Sequence, residues 1–228
     1  MDIAQLIPAV IEAGACVMAH RAAGVQAEEK SDLSPVTIAD REAEAILLAA
    51  LAALAPGIPV IAEEEAAAGR LPDVEKQFFL VDPLDGTKEY VKGGDDFTVN
   101  VALIDHGVPV AGIVYAPAQA TLWWGDAPRR LAMRAAIEEG KLAHRRPIGV
   151  RPCGGRPKAV ASKSHPVPAT EAFLAALLVL LTGFTGLTLA ARTASVPFAI
   201  RNLARSLASA IHAGARPWPV QVAPVLGC

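Results

Sequence analysis

An apolar run that ends in two closely spaced carboxylates is the feature that most constrains this chain. Residues 78–81 have the composition of a buried strand, and Asp82-Pro-Leu-Asp-Gly-Thr87 follows at once. Charges at the end of a buried strand are costly unless a cation or hydrogen bonds compensate them. The segment therefore predicts either a metal site or, more simply, an acidic surface turn, and the rest of the chain has to distinguish the two.

Composition indicates a globular protein with a substantial core. The 228 residues are 53% hydrophobic with a formal net charge of −2, which gives no overall basic surface for nucleic acid. Three cysteines, at positions 16, 153 and 228, are odd in number and lack metal-ligand spacing, which favours a reducing compartment. No basic segment precedes an apolar one at the N-terminus, so we expect no signal peptide and a cytoplasmic protein.

Charge is distributed unevenly along the chain. All 23 acidic residues lie at or before Glu171, whereas the charged side chains of residues 172–228 are four arginines. The first segment has a net charge of −6 and the tail one of +4. Globular domains usually mix both signs, with about one residue in four charged. The tail is therefore not typical of an ordinary domain.

Hydrophobic periodicity predicts an α/β protein. Helical spacing predicts helices over residues 3–23 and from Asp40 to about residue 54. Strands are predicted over residues 58–61, 78–82, 97–104, 108–115 and 121–125, with a loop or short hairpin over 28–37 and a hairpin turn at Asp105-His106-Gly107. Residues 126–150 are polar, and we interpret them as an irregular boundary between a metal-binding region, 1–147, and a second α/β region, 148–228.

Three acidic clusters lie next to predicted strands or turns: Asp32, Glu63, and the pair Asp82 and Asp85. If they converge, mutual repulsion raises their pKa values unless cations bind. A set of oxygen ligands without histidine or cysteine selects a hard cation, most simply Mg²⁺. Several carboxylates around Mg²⁺ suit the hydrolysis of a phosphate ester, and the backbone N–H groups of Gly86 and Thr87 are suited to contact the phosphate.

The motifs of the chain resemble those of the inositol monophosphatase superfamily, which are Mg²⁺-dependent, lithium-sensitive phosphatases. Asp82-Pro-Leu-Asp-Gly-Thr87 carries the resemblance, and two earlier motifs, Lys30-x-Asp32-x-Ser34-Pro-Val-Thr37-x-x-Asp40 and Ile61-Ala-Glu-Glu64, stand in the same order as in the family. Several segments narrow the resemblance, over residues 1–171, to the CysQ-type 3'(2'),5'-bisphosphate nucleotidases: Lys88-Glu-Tyr90, Phe97-Thr-Val-Asn100, Val114-Tyr-Ala-Pro117 and Ser162-Lys-Ser-His165.

The resemblance implies a layered αβαβα sandwich of the sugar-phosphatase type and assigns roles to residues by position. Glu63, Asp82 and the carbonyl of Leu84 would hold one Mg²⁺, and Asp82 with Asp85 a second. Asp32 and Thr87 would orient and deprotonate the attacking water. Glu63 would also border the substrate, and Asp85-Gly86-Thr87 would hold its phosphate. The implied substrate is a small nucleotide bisphosphate, adenosine 3',5'-bisphosphate, hydrolysed to AMP in sulfur metabolism.

The chain departs from the family pattern in its last quarter. The family places a further metal-binding aspartate in a Trp-Asp-x-x-Ala-Gly motif, and this chain has no aspartate after Asp126. One hypothesis is that residues beyond about 175 are translated in a shifted frame. In that case another frame of the gene encodes the missing motif.

Two other hypotheses account for the tail. The uncharged run 173–191 has about the length of a membrane-spanning helix, although Thr182-Gly-Phe-Thr-Gly186 interrupts it, so peripheral association with the inner membrane is a less favoured alternative. The third is a divergent domain that has lost catalysis and binds a nucleotide or a partner. The functional alternatives to a bisphosphate nucleotidase are thus an inositol monophosphatase-like enzyme and an inactive nucleotide-binding paralogue. The sequence does not predict an oligomeric state.

Overall fold

The elements of the computed structural model follow the predicted helix–strand alternation. The structure describes residues 1–25, 27–29, 35–74 and 76–149. Four α-helices lie in these ranges: α1 (Ile7–Ala23, after a 3-10 turn over Ile3–Leu6), α2 (Ile38–Leu54), α3 (Glu63–Ala67) and α4 (Thr87–Val91). The strands are β1 (Ala27–Glu29), β2 (Pro35–Thr37), β3 (Val60–Ala62), β4 (Gln77–Asp85), β5 (Thr98–Asp105), β6 (Val108–Ala116), β7 (Thr121–Asp126), β8 (Leu131–Glu138) and β9 (Lys141–Pro147).

Seven strands form one mixed sheet in the order β3 to β9. β3 is parallel to β4 and every later pair is antiparallel. The hairpin between β5 and β6 turns at His106 and Gly107, both with positive φ (49° and 77°), as a two-residue turn requires. The hairpin predicted at 105–107 is therefore confirmed. β1 and β2 make a separate antiparallel pair, which agrees with the short hairpin that was one of the two alternatives predicted for 28–37.

Helices α1 and α2 cover one face of the sheet, and the main core lies between them and the strands. Their buried positions, including Val10, Val17 and Leu47, join sheet residues such as Phe79 and Ile113 in one cluster. A smaller cluster forms on the opposite face around Ile61 and Leu80. The side chains of β4 thus alternate between two apolar environments, which is why residues 78–81 read as a continuous apolar run. The layered α/β architecture is the predicted fold class.

Two predictions of local structure are wrong. Residues 126–150 contain β8 and β9 rather than an irregular boundary. The strand signal is the alternation of Leu131 with Met133 and later apolar residues, but alanine, arginine and glutamate have low strand propensity and weaken it. α2 begins at Ile38 rather than at Asp40, because Thr37 is the N-cap and Asp40 occupies the third helical position in a capping box.

Most of the chain beyond β9 lies outside the described residues. The predicted second region, 148–228, therefore stays a prediction apart from its first two positions, and the same holds for the apolar run 173–191. Within the described ranges, Ile3–Ala23 is long and apolar enough to cross a membrane, with half of it buried in the core. A core helix of a soluble protein passes the same test, so this is weak evidence for a membrane span.

Candidate active site

The acidic residues predicted from separate motifs meet where β3 and β4 end. The two strands are parallel with Ala62 opposite Val81, so the next residue of each chain segment emerges at the same edge. These next residues are Glu63, at the start of α3, and Asp82. Asp82 is 3% exposed and makes a hydrogen bond with Glu63. The parallel pairing therefore brings together two carboxylates that are far apart in sequence.

A register shift in β4 delivers the second aspartate to the same place. Asp82 pairs with Asn100 of β5 and Asp85 pairs with Thr98, with an irregularity between them. Irregularities of this kind bend a strand and re-aim its side chains. Leu84 lies within the irregular stretch, is fully buried, and its N–H donates to Oδ1 of Asp82 at 3.2 Å. The proline-containing turn thus presents Asp82 and Asp85 to one site.

Gly86 connects this strand to α4 in a backbone conformation that favours glycine. Its φ is +92°, and a Cβ there would lie 2.7 Å from the carbonyl oxygen of Asp96. A non-glycine residue would be strained by both the dihedral angle and the contact. Its carbonyl accepts the N–H of Tyr90 at 3.0 Å, which starts α4 immediately after the acids.

Asp82 is the electrostatic centre of the site. Burial is the main reason that its pKa is raised well above the ordinary value, and repulsion from Glu63 and Asp85, the hydrogen bond with Glu63 and the charge of Asp40 raise it further. The protonated form of this carboxyl group is therefore favoured when no cation is bound. A cation beside these carboxylates would remove the repulsion and replace that proton.

Thr87 has a carboxylate partner that sequence reasoning did not assign. Its hydroxyl donates to the carbonyl of Leu84 at 2.9 Å and lies 3.4 Å from Oδ1 of Asp40. The other oxygen of Asp40 accepts from the N–H and the hydroxyl of Thr37, at 2.7 and 2.6 Å. The capping box thus holds Asp40, which is 1% exposed, against the site. The available sequence signal is the spacing Thr-x-x-Asp, which predicts the start of a helix but not a contact with Thr87.

Asp32, the other residue expected to act on water, lies outside the described residues. Its predicted role stays a prediction, and the segment Ser162-Lys-Ser-His165 of the resemblance also lies outside the described residues. Of the seven predicted site residues, the structure describes the other six and brings them together at the end of β4.

Asn100 is a further residue that the sequence did not assign to the site. The sequence places it in the predicted strand 97–104 and in the motif Phe97-Thr-Val-Asn100 without a role for its side chain. Its Nδ2 donates to Oδ2 of Asp85 at 3.4 Å, and its Oδ1 is buried without a hydrogen-bond partner among the described residues. Buried polar atoms are nearly always paired, so an unpaired oxygen beside carboxylates indicates room for a donor or a cation. The signal lies in the β4–β5 register, which the sequence does not reveal.

A buried glutamate on α2 holds α3 in place. The two oxygens of Glu44 accept the N–H groups of Glu64 and Glu65 at 2.8 and 3.1 Å. Glu44 is 3% exposed, and burial raises its pKa to about 7 although these two hydrogen bonds oppose the rise. Because the capped amides follow Glu63 directly, this contact fixes the first turn of α3 and the backbone of Glu63.

Arg21 of α1 binds the loop after α4. Its Nη2 donates to the carbonyl of Gly93 at 2.8 Å, and its Nη1 lies 2.9 Å from a carboxylate oxygen of Asp95. The guanidinium also lies over the ring of Phe97, 5.4 Å from its centre. Tyr90 packs edge-on against the same ring and donates its hydroxyl to the carbonyl of Val17 at 2.9 Å. These contacts hold the turn that carries Thr87 against α1.

Comparison with known proteins identifies the family to which this arrangement belongs. The family model described as the inositol monophosphatase family matches residues 2–182. The chain belongs to the inositol monophosphatase family. The match covers every element described above and extends slightly past the point where the motif resemblance fades, leaving residues 183–228 outside it.

Within the inositol monophosphatase family, the chain is similar to CysQ proteins. It is 51% identical over 88 residues to the 3'(2'),5'-bisphosphate nucleotidase CysQ of Shigella flexneri, which covers 39% of this chain and 36% of that protein. It is 35% identical over 156 residues to CysQ of Buchnera aphidicola, covering 68% of this chain and 56% of that one. The chain therefore matches between about a third and just over half of the length of these relatives.

A solved structure supports the same placement. CysQ from Bacteroides thetaiotaomicron, described as a bacterial member of the inositol monophosphatase family, superposes with a TM-score of 0.60 at 30% identity. The superposition covers 77% of this chain and 68% of that one. The layered fold and the family are thus shared.

Proposed function

We propose that this chain is a Mg²⁺-dependent phosphomonoesterase that removes the 3'-phosphate of adenosine 3',5'-bisphosphate, leaving AMP. The observation that carries the proposal is the convergence of Glu63, Asp82 and Asp85 on one edge of the sheet, with Asp82 buried and its pKa raised by its neighbours. The similarity to CysQ proteins supports this nucleotide as the substrate. Sulfur metabolism in the cytoplasm is the corresponding setting.

The donor set fits a magnesium ion. The groups at the site are carboxylates and a backbone carbonyl, and hard cations with small radii prefer such oxygen ligands. Glu63, Asp82 and the carbonyl of Leu84 are the proposed ligands of one ion, and Asp82 with Asp85 those of a second. The carbonyl of Leu84 accepts a hydrogen bond from Thr87 but retains a second lone pair. Bound there, Mg²⁺ supplies a Lewis acid for the phosphate and a hydroxide source from water.

The side chains around the ion positions have distinct proposed tasks. Thr87, with Asp40 and the predicted Asp32, orients the attacking water and accepts its proton. The backbone of Gly86 and Thr87 contacts the phosphate, because the first N–H groups of α4 lack partners within the helix. Asp85 borders the substrate and is held by Asn100. Glu63 is the first residue of α3, so the proposed ion ligand lies next to the amides of Glu64 and Glu65, which donate to Glu44.

A phosphate-release assay tests the proposal. Full-length protein with Mg²⁺ is given adenosine 3',5'-bisphosphate or inositol monophosphate, with and without lithium. We expect release from the nucleotide, inhibition by lithium, and a far lower rate with the inositol ester. Asp85→Asn should abolish release, whereas Asp73→Asn, at an exposed position, should leave it unchanged.

The other outcomes distinguish the alternatives. Preference for inositol monophosphate would assign an inositol monophosphatase-like activity instead. Calorimetric binding of the nucleotide without phosphate release would assign an inactive nucleotide-binding protein. That result would agree with the absence of a Trp-Asp-x-x-Ala-Gly motif from the sequence.

A further inference from the structure

A second cluster of potential metal ligands lies on the surface between α1 and α2, outside the carboxylate site. Cys16 and His20 are one helical turn apart on α1 and therefore share a face. Glu42 faces them from the first turns of α2. Its Oε2 lies 2.8 Å from Nε2 of His20 and 3.6 Å from Sγ of Cys16. All three ligand atoms lie within 4.8 Å of one another.

We propose that Cys16, His20 and Glu42 form a binding site for a zinc-like divalent cation. Zinc binds cysteine sulfur at about 2.3 Å and histidine nitrogen or carboxylate oxygen at about 2.0–2.2 Å. Tetrahedral coordination with these bond lengths separates the ligand atoms by about 3.5 Å. The observed separations from Oε2 of Glu42, 2.8 Å to His20 and 3.6 Å to Cys16, lie on either side of this value. A water molecule would complete the coordination.

The ligand types separate this site chemically from the carboxylate site. A thiolate and an imidazole are poor ligands for Mg²⁺ but good ones for zinc, cobalt and related metals. The proposed occupant is therefore a different cation, and millimolar Mg²⁺ should not displace it. The site is open to solvent, because Cys16 and His20 are half-buried and Glu42 is exposed.

The metal-free cluster is held by hydrogen bonds that the metal would replace. Burial and the hydrogen bond with Glu42, together with the charges of Glu42 and Glu12, raise the pKa of the Cys16 thiol to about 11. The thiol is then protonated at neutral pH. Binding forms a sulfur–metal bond, breaks the S–H bond and releases that proton to solvent. Cys16 is consequently not a reactive thiolate, and a cation is the agent that would ionise it.

The bound ion would link two helices that both support the carboxylate site. α1 carries Arg21 one residue after His20, and α2 carries Asp40 two residues before Glu42. A coordinate link between them adds a constraint that the unfolded chain lacks, so it should raise the stability of the helix layer.

Cobalt(II) absorption tests the site, since a thiolate ligand produces a charge-transfer band in the near ultraviolet. Chelator-treated full-length protein in excess Mg²⁺ is titrated with Co²⁺ and then with Zn²⁺. We expect one equivalent of Co²⁺ to produce the band, Zn²⁺ to remove it by competition, and Zn²⁺ to raise the thermal midpoint. Cys16→Ser should abolish the band, and His20→Gln or Glu42→Gln should weaken Co²⁺ affinity by about tenfold or more.

Matched controls come from the other cysteines and from a surface histidine–carboxylate pair. The double variant Cys153→Ser/Cys228→Ser should retain the band. His106→Gln, at a histidine 2.8 Å from Asp105, should leave affinity unchanged, because that pair has no thiol. Persistence of the band in Cys16→Ser, its loss in the double variant, or the absence of any cobalt–thiolate band would overturn the proposal. Each readout is independent of phosphatase activity.

Discussion

The hydroxyl of Thr87 lies 3.4 Å from Oδ1 of Asp40, a residue 47 positions earlier in the chain. One oxygen of Asp40 completes the capping box of α2 and the other faces the end of β4. A residue with an evident local role thereby gains a second role at the candidate site. The hydroxyl has a single proton and two acceptors, Leu84 and Asp40, so it can donate to one while accepting a hydrogen bond from water.

Two substitutions of Thr87 distinguish the effect of its hydroxyl on activity from the effect of its side-chain volume. Thr87→Val removes the hydroxyl and keeps the volume, and we expect kcat for phosphate release to fall by about 10²-fold or more. Thr87→Ser restores the hydroxyl and should retain most of the activity. Steady-state kinetics with the bisphosphate nucleotide checks both variants. Equal rates for valine and wild type would exclude a role for the hydroxyl.

Asp82→Asn should stabilise the metal-free protein while abolishing activity. The folded-state pKa of Asp82 is raised, so its stabilising contribution is fully present below the ordinary pKa and is lost as pH rises through the folded value. Asparagine resembles the protonated acid and carries no charge, so the variant should not lose stability at this position as pH rises. Urea unfolding in chelator at pH 8 should show a higher midpoint for the variant.

Added Mg²⁺ should raise the urea midpoint of wild type above that of Asp82→Asn, because the ion stabilises wild type through the carboxylate of Asp82, which the variant lacks. Asp73→Asn serves as the control, since its side chain is exposed and should change neither midpoint. A lower midpoint for Asp82→Asn than for wild type in chelator would contradict the electrostatic account.

Glu44 should contribute to the pH dependence of stability. Its pKa is raised from the ordinary value of a glutamate to about 7, mainly by burial. The folded state therefore binds more protons than the unfolded state between these values, and stability falls as pH rises through that window. Glu44→Gln should reduce the slope by up to about 1.4 kcal/mol per pH unit. Urea unfolding across pH 4.5–7.5 measures the slope of the free energy of unfolding against pH. An equal slope in wild type and Glu44→Gln would show that Glu44 does not change its protonation on folding.

Two glycine variants should distinguish crowding from backbone strain. Gly86→Ala combines a φ of +92° with a Cβ 2.7 Å from a carbonyl oxygen, and we expect a loss of about 2–5 kcal/mol in the free energy of unfolding. Gly140→Ala, at φ +71° with no atom within 4 Å of the new Cβ, has the strain alone and should lose about 1–2 kcal/mol. Denaturant titration gives both values, and equal losses would mean that the contact with Asp96 relaxes.

The sequence was informative wherever the signal is local. The order of apolar runs predicted both long helices and the strands β3 to β7, because burial on one or two faces imposes a period that can be read along the chain. The hairpin at His106-Gly107 was predictable because a two-residue turn needs positive φ at both positions. Local signals are weak at β8 and β9, the last hairpin of the described sheet. These strands are rich in alanine and charged residues, several of which have low strand propensity.

The sequence by itself determined that this chain carries an acidic turn after a buried strand and the ordered motifs of a phosphatase family. Only the tertiary structure decided which of those carboxylates meet. Parallel pairing of β3 with β4 brings Glu63 to Asp82, the β4–β5 register brings Asn100 to Asp85, and packing of α2 brings Asp40 to Thr87. Strand register and helix packing depend on the burial of apolar side chains over the whole core. A short segment of sequence therefore cannot specify them.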